Sequence, residues 1–368
     1  MATPLCEYFG KCGGCSLQNV DYNQQVENKK RFLQKSIDFE DVKVFSDKEY
    51  FYRNRMDLIF TKHGIGFRQK NNYAQVVDIE KCVIADEKLN ILISEVRKFF
   101  KNTDYFDLKR KSGTFRFAVI RTPSEDSSIS FVLNEDSTRL SDAIEKITEF
   151  SKITSANNII VTYVPCNTDE SISSEFFLVK GNDNLTETLI GKKFSYSAQG
   201  FFQNNTVMAE KMQMYCSELL KSYETKNAYL LDLYAGVGTF GIINAELFKE
   251  ITIVESFKGC IDSAEINIKE NNVKNAKAIM LDAEKIKRLT LKTPLFVIND
   301  PPRSGMHNKT IEELNRIKPQ VIIYVSCNIN QLAKELVKFK RYRIKSAALF
   351  DLFPQTNHAE AIIELELS

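Results

Sequence analysis

What this 368-residue sequence lacks removes several classes of protein at once. No apolar stretch approaches the ~18 residues that a membrane span needs, and the opening MATPLCEYFGKC has no apolar segment of the sort a secretory leader carries. The chain is therefore expected to be cytoplasmic, with no membrane partner. Net charge is nearly absent at +2, so the total gives no argument for a polyanionic partner. A disordered or fibrous composition is absent too, since 43% hydrophobic and 27% charged residues are the proportions of a globular chain. What remains is an ordinary folded protein, too long for one core and suited to two domains.

The small net charge hides an uneven distribution. Between Phe51 and Arg121 there are 15 Lys and Arg against 8 Asp and Glu, interleaved with Phe and Tyr. Basic and aromatic residues together suit a surface that follows phosphates and stacks on bases, although a solvated face yields the same count. Eight cysteines in a cytoplasmic chain argue against a disulfide framework, and their spacing says more than their number. Cys6, Cys12 and Cys15 form C-x5-C-x2-C within CEYFGKCGGC, and Cys82 stands alone in VVDIEKCVIAD. Gly13 and Gly14 allow the tight fold that points two thiols at one centre. Three local thiolates and one distant one suit a tetrahedral zinc ion or a 4Fe–4S cluster, and the lack of a second C-x2-C pair favours the cluster. A closed cluster would pin the segment 1–50 onto the domain that follows. Cys166, Cys216 and Cys260 have no partners at ligand spacing and are read as structural.

Residues 51–195 contain short apolar runs broken by turn residues: MDLIF, KHGIGF, AQVVDI, FRFAVIRT, SISFVL, NIIVTYV and SEFFLV. Helical patterns intervene near 89–101 and 141–152. That alternation predicts an antiparallel sheet with helices packed on it, an α+β domain. In 196–368 the pattern changes to a long amphipathic helix near 207–223, followed by alternating strands and helices. An α/β Rossmann-like domain is expected there.

The chemistry-bearing residues gather in this last domain. In YLLDLYAGVGTFG, a strand, a glycine turn and a helix through about Phe248, Gly236, Gly238 and Gly241 complete G-x-G-x-x-G, and Glu255 ends the next strand, ITIVE. The glycines let backbone approach a cofactor, and the carboxylate can accept from two ribose hydroxyls. Enzymes of nicotinamide and of S-adenosylmethionine both use this arrangement. The strand PLFVIND running into Asp300-Pro301-Pro302-Arg303 favours S-adenosylmethionine, with Asp300 facing the pocket from a turn fixed by its prolines. Asp282, after AIML, is placed to offer a carboxylate to adenine. One strand further on, VIIYVSCN carries Cys327 at its carboxyl end, the edge where open α/β sheets bind ligands. A cysteine is more often buried and structural, but here it shares an edge with Asp300, which makes it a nucleophile candidate. His358 reads as a hydrogen-bonded loop residue, and Glu360, opening the strand AIIELEL, is the better acid/base candidate.

GFFQNN, DLYAGVGTFG, NDPPR, YVSCN and FPQTNHAE, in that order behind the cysteine set, resemble the RNA uracil-C5 methyltransferases of tRNA and ribosomal RNA over nearly the whole chain. CGGCSLQ, YRNRMDL and GIGFRQ are similar to the archaeal branch, whose better-known activity converts the T-loop uridine 54 of tRNA to ribothymidine. The resemblance implies S-adenosylmethionine-dependent methylation of a uridine in structured RNA. Cys327 would add to uracil C6, and Glu360 would remove the C5 proton. Gln203, Tyr234, Glu255 and Asp300 would contact S-adenosylmethionine, and Cys6, Cys12, Cys15 and Cys82 would hold a 4Fe–4S cluster. Many relatives carry an N-terminal TRAM barrel that helps to hold RNA. Only five residues precede Cys6, so no TRAM domain is expected, and the basic stretch 51–121 is the candidate for that role. A monomer is expected. Competing readings are the same reaction on a 23S rRNA uridine, a non-catalytic cluster-bearing RNA-binding protein and a nicotinamide oxidoreductase.

Overall fold

In the computed structural model, which describes residues 2–368, the first regular elements are ones that apolar patterning does not announce: helix α1, Tyr22–Ile37, and strand β1, Val42–Phe45. The next strands are β2 (Arg55–Phe60), β3 (Ile65–Gln69) and β4 (Asn72–Asp78), followed by helix α2 (Glu87–Phe99). Strands β5 (Phe115–Arg121) and β6 (Ser128–Asn134) precede helix α3 (Leu140–Ser151), and β7 (Asn158–Val164) and β8 (Phe176–Lys180) follow it. The chain forms two compact units, one comprising residues up to Tyr22 with 48–187 and 196–206, the other 23–47, 188–195 and 207–368.

The first unit is a seven-stranded sheet in the order β4-β3-β2-β5-β6-β7-β8. It corrects the expectation of a purely antiparallel sheet, because β6 and β7 run parallel, Ser128 opposite Asn158. The reason is α3, which carries the chain back across the sheet as parallel neighbours require. Phe60, Phe100, Phe131 and Phe150 interlock beneath the helices, with Phe100 and Phe131 ring centres 4.8 Å apart. Each such ring contributes about 1.5–3 kcal/mol by leaving water. The N-terminal segment is stitched to the β3–β4 hairpin: Gly13 N–H donates to Arg68 O at 2.9 Å and Lys70 N–H to Lys11 O at 2.7 Å.

A hairpin of β9 (Asn184–Leu189) and β10 (Lys192–Ser197) leads to α4 (Thr206–Lys221). Then come β11 (Tyr229–Leu233), α5 (Thr239–Ile243), β12 (Glu250–Glu255), α6 (Lys258–Glu270) and β13 (Ala276–Met280). The remainder is β14 (Leu295–Asn299), α7 (Asn308–Ile317), β15 (Val321–Ser326), α8 (Ile329–Leu336), β16 (Tyr342–Phe350) and β17 (Glu360–Leu367). The second unit's eight-stranded sheet has the order β1-β16-β17-β15-β14-β11-β12-β13, with only β17 antiparallel to its neighbours. Strand order reverses at β11, whose neighbours are β12 and β14, so the carboxyl ends of β11 and β14 flank the ligand crevice of a doubly wound sheet.

The expected boundaries at 50 and 195 need correction. Residues 23–47 belong to the second unit because β1 pairs in parallel with β16, Val42 opposite Ala347 through Phe45 opposite Phe350. Residues 196–206 belong to the first unit, where Arg121 donates to Gly200 O. The basic surplus of 51–121 is only partly a surface property, since Arg116 and Arg121 are buried. Among the described residues no helix is long and apolar enough to cross a membrane.

Candidate active site

The glycine turn after β11 has two tasks. At Gly236, φ is +54° and a β-carbon would meet no atom within 4 Å, so backbone there lines open space of the kind a ligand fills. At Gly241 a β-carbon would come within 2.9 Å of Ile253 and 3.1 Å of Asp232, so its absence lets α5 close onto the sheet. Glu255, ending β12, bends over the turn. One carboxylate oxygen accepts the Gly236 N–H at 3.1 Å, and the other accepts those of Ser256 and Phe257 at 2.6 and 3.0 Å. Asp232, buried in β11, accepts the Gly241 N–H at 2.8 Å through Oδ2, while its Oδ1 is buried without a hydrogen-bond partner among the described residues. Burial, with Asp300 and Glu255 adding to it, pushes the Asp232 carboxyl up to about 8.

Next to this turn, β14 and β15 place the reactive groups. Asp300 follows β14, its N–H donating to Leu233 O at 3.3 Å, and burial pushes its carboxyl up to about 7. The Pro301-Pro302 turn closes with Gly305 N–H donating to Pro302 O at 2.7 Å. Cys327 sits where β15 gives way to α8. Asn328, the residue after it, caps that helix by accepting the Gln331 N–H at 3.3 Å and donates to Arg303 O at 3.0 Å. The cysteine and the Asp-Pro-Pro-Arg turn are thereby tied together. Beneath them the buried Glu335 collects the Met306 N–H at 3.2 Å, Gln331 at 2.7 Å and the Tyr324 hydroxyl.

Glu360 reaches the same edge from the antiparallel strand. The register that sets Ser326 opposite Ala361 carries Cys327 and Glu360 to facing positions. Cys327 is half-buried, and burial, with Glu360 and then Asp300 adding to it and Arg303 opposing, pushes its thiol up to about 11. Glu360 is buried, and that burial, reinforced by Asp300 and opposed by Arg303, holds its carboxyl well above the usual carboxylate range. Arg303 Nη2 lies 3.4 Å from His358 Nδ1. Asp300, Arg303, Cys327 and Glu360 thus form one electrostatic group of a thiol, two buried carboxyls and a cation.

This sheet order and site are those of an S-adenosylmethionine-dependent methyltransferase fold. Comparison with known proteins makes the assignment narrower. Residues 21–367 match the family model described as tRNA (uracil-5-)-methyltransferase, and the chain belongs to that family. An uncharacterised RNA methyltransferase of Caldanaerobacter subterraneus is 33% identical over 99% of this chain and 84% of its own length. The tRNA (uracil(54)-C(5))-methyltransferase of Pyrococcus abyssi is 33% identical over 98% of this chain and 85% of its length. Among solved structures, the Pyrococcus abyssi tRNA (uracil-54, C5)-methyltransferase in complex with S-adenosyl-L-homocysteine superposes with a TM-score of 0.81 at 29% identity, covering 96% of this chain and 86% of that one.

Of the residues singled out in the sequence, the second unit brings together Glu255, Asp300, Cys327 and Glu360. Tyr234, at φ +55°, turns its hydroxyl toward Thr310 and the His307 backbone. Asp282 is exposed and accepts the Glu284 N–H at 3.1 Å. Gln203 belongs to the first unit, half-buried beyond the stacked pair Tyr196 and Phe202. The four cysteines also lie in the first unit. Cys82 is pushed up to about 12 by burial, with Cys15 and Cys12 adding to it, and Cys15 up to about 11 by burial, with Cys12 and Cys6 adding. Among the described residues no three His, Cys, Asp or Glu groups are set closely enough to hold a metal ion. The four thiols are of the donor type that a cluster takes.

Sequence reasoning passed over Asp232, Glu335, Lys29 and Asp351. Asp232 had a signal, a carboxylate inside the apolar strand YLLDL. The other three are recognisable only once their partners are in space.

Proposed function

We propose that this chain transfers a methyl group from S-adenosylmethionine to C5 of a tRNA uridine, the T-loop uridine 54, through a transient bond between Cys327 and uracil C6. The observation that carries this reading is the convergence of Cys327, Glu360 and Asp300 at the carboxyl ends of β14 and β15, beside the open backbone of Gly236. The names of the Pyrococcus relatives support position 54.

Uracil C5 is too weak a nucleophile to attack a methyl sulfonium directly. Addition of the Cys327 thiolate to C6 turns C5 into an enolate carbon, dividing one hard step into two easier ones. The backbone at Gly236 and the Glu255 carboxylate would hold S-adenosylmethionine, which would supply the methyl group. Glu360 then takes the C5 proton, and the thiolate leaves as the C5–C6 double bond re-forms. Opposite faces of the ring must be reachable, so the nucleotide has to leave its stack, which costs a few kcal/mol and least in a loop. Asp300, whose carboxyl burial lifts to about 7, would read the uracil imide from the same edge. Cys6, Cys12, Cys15 and Cys82 would hold a 4Fe–4S cluster, which would link the N-terminal segment to residue 82 within the first unit. The basic and aromatic stretch 51–121 of that unit would contact RNA, and the protein would work in the cytoplasm.

The test is methylation of unmodified tRNA and 23S rRNA transcripts side by side, with the product mapped by nucleoside mass spectrometry. Methyl incorporation at tRNA position 54 is expected. Product in rRNA alone would replace the substrate, and no product in either would remove the reading.

A further inference from the structure

One cluster of buried polar groups has no part in the reaction described above. Between Phe350 and Glu360 the chain leaves the sheet as the connection 351–359, LFPQTNHA after Asp351, and returns to it at Glu360. Four side-chain contacts from α1 hold this connection. Lys29 Nζ donates to Asp351 Oδ1 at 2.6 Å and to Phe353 O at 3.3 Å. Gln25 and Gln355 exchange two bonds: Gln25 Nε2 donates to Gln355 Oε1 at 3.0 Å, and the Gln355 N–H donates to Gln25 Oε1 at 3.1 Å. All four residues are buried, Lys29 at 6% exposure and Asp351 at 0%.

These contacts do more than fill space. Gln355 adopts φ +67°, a left-handed conformation that costs a non-glycine residue energy and persists only where the surroundings over-determine it. The reciprocal bonds with Gln25 supply that constraint one residue after Pro354. A charged pair in the interior is a poor stabiliser compared with apolar side chains of the same size, because both ions lose their hydration. A Lys–Asp pair kept at the root of this connection therefore points to geometry and not to stability. The connection that starts at this pair carries His358, 3.4 Å from Arg303, and leads directly into Glu360.

We propose that Gln25 and Lys29 of α1 are positioning residues for Glu360, clamping 351–359 through Gln355 and Asp351 so that the carboxylate stays covered and faces Cys327. The proposal rests on the reading of Glu360 as the base. Its consequence is that loosening the clamp impairs proton removal from C5 while leaving cofactor binding and thiolate addition intact. A misplacement of about 1 Å at a reacting group costs on the order of 100-fold in rate.

The experiment compares Q25A, K29M, K29R and E360Q with the wild-type full-length chain. Binding of S-adenosylhomocysteine, thermal unfolding, turnover on unmodified tRNA transcript and the amount of denaturant-resistant protein–RNA adduct are measured for each. K29M strands a buried carboxylate and threatens the fold, so Q25A carries the test. Q25A is expected to unfold near the wild-type temperature and bind S-adenosylhomocysteine normally. It should turn over roughly 10- to 100-fold more slowly while accumulating adduct, as E360Q does, and K29R should recover much of what K29M loses. Wild-type turnover by Q25A beside an adduct trapped on E360Q removes the clamp alone. A parallel loss of cofactor binding and adduct in Q25A would show a merely structural contact and also overturns the proposal. Full turnover by E360Q would remove the base itself, and the clamp with it.

Discussion

Cys327 in the free protein should be a sluggish thiol, and the degree of sluggishness follows from its surroundings. Its ordinary value of 9.0 is raised to about 11 by burial, then by Glu360 and Asp300, with Arg303 the opposing influence. At pH 8 a thiol at 9.0 is roughly one-tenth ionised, whereas one at about 11 is ionised about one part in a thousand, a ~100-fold loss of reactive thiolate. Alkylation by iodoacetamide, followed by peptide mass spectrometry so that the other seven cysteines are counted separately, reads that fraction directly. The Cys327 rate should climb about tenfold per pH unit from 7 to 10 without levelling. R303M, which removes the cation, should lower the rate further at every pH. A plateau near pH 8, or faster alkylation in R303M, would refute the balance of causes described for this site and place a preactivated thiolate in the free protein.

Further outcomes follow from the same geometry. Asp232 has its carboxyl raised from 3.8 to about 8, so the stabilisation from keeping it protonated is complete below about pH 4 and is lost as pH rises toward 8. In guanidinium titrations the stability of wild type relative to D232N should therefore fall by about 5 kcal/mol between pH 4 and 8, and a flat difference would show that Asp232 is ionised in the fold. G241A forces a β-carbon to within 2.9 Å of Ile253, so it should cost about 1–3 kcal/mol and weaken S-adenosylhomocysteine binding; unchanged calorimetric affinity would mean that α5 can move away freely. Protein purified without oxygen should contain iron and acid-labile sulfide in equal amounts, both lost in C82S together with stability. Iron-free wild type from the same preparation would leave these cysteines without a cluster.

The sequence disclosed what depends on local pattern. VIIYVS is β-branched or aromatic at almost every position and became a fully buried strand, and Gly236, Glu255, Asp300, Cys327 and Glu360 took the places that their strands imply. What remained hidden depends on distant partners. The inward stripe of α1 is Gln25, Lys29, Leu33 and Ile37, correctly spaced for a helix but half polar, because its partners are Gln355 and Asp351 from the far end of the chain. Strand β1 likewise completes a sheet edge formed by β16. The parallel pairing of β6 and β7 was invisible because both strands are buried on both faces, and alternation then carries no sign of direction. The helix after the glycine turn stops at Ile243, short of Phe248, where Asn244 turns its amide back to Phe240 O at 2.8 Å and a tighter 3-10 turn follows.

The most direct test uses tRNA transcribed with 5-fluorouridine, whose C5 fluorine no base can remove as a proton. With S-adenosylmethionine present, wild-type protein should become trapped on this RNA in a bond that survives denaturant and maps to Cys327, and C327A should trap nothing while still binding S-adenosylhomocysteine. A wild-type protein that methylates ordinary tRNA yet forms no such bond, or forms it at another residue, would contradict the role given to that sulfur.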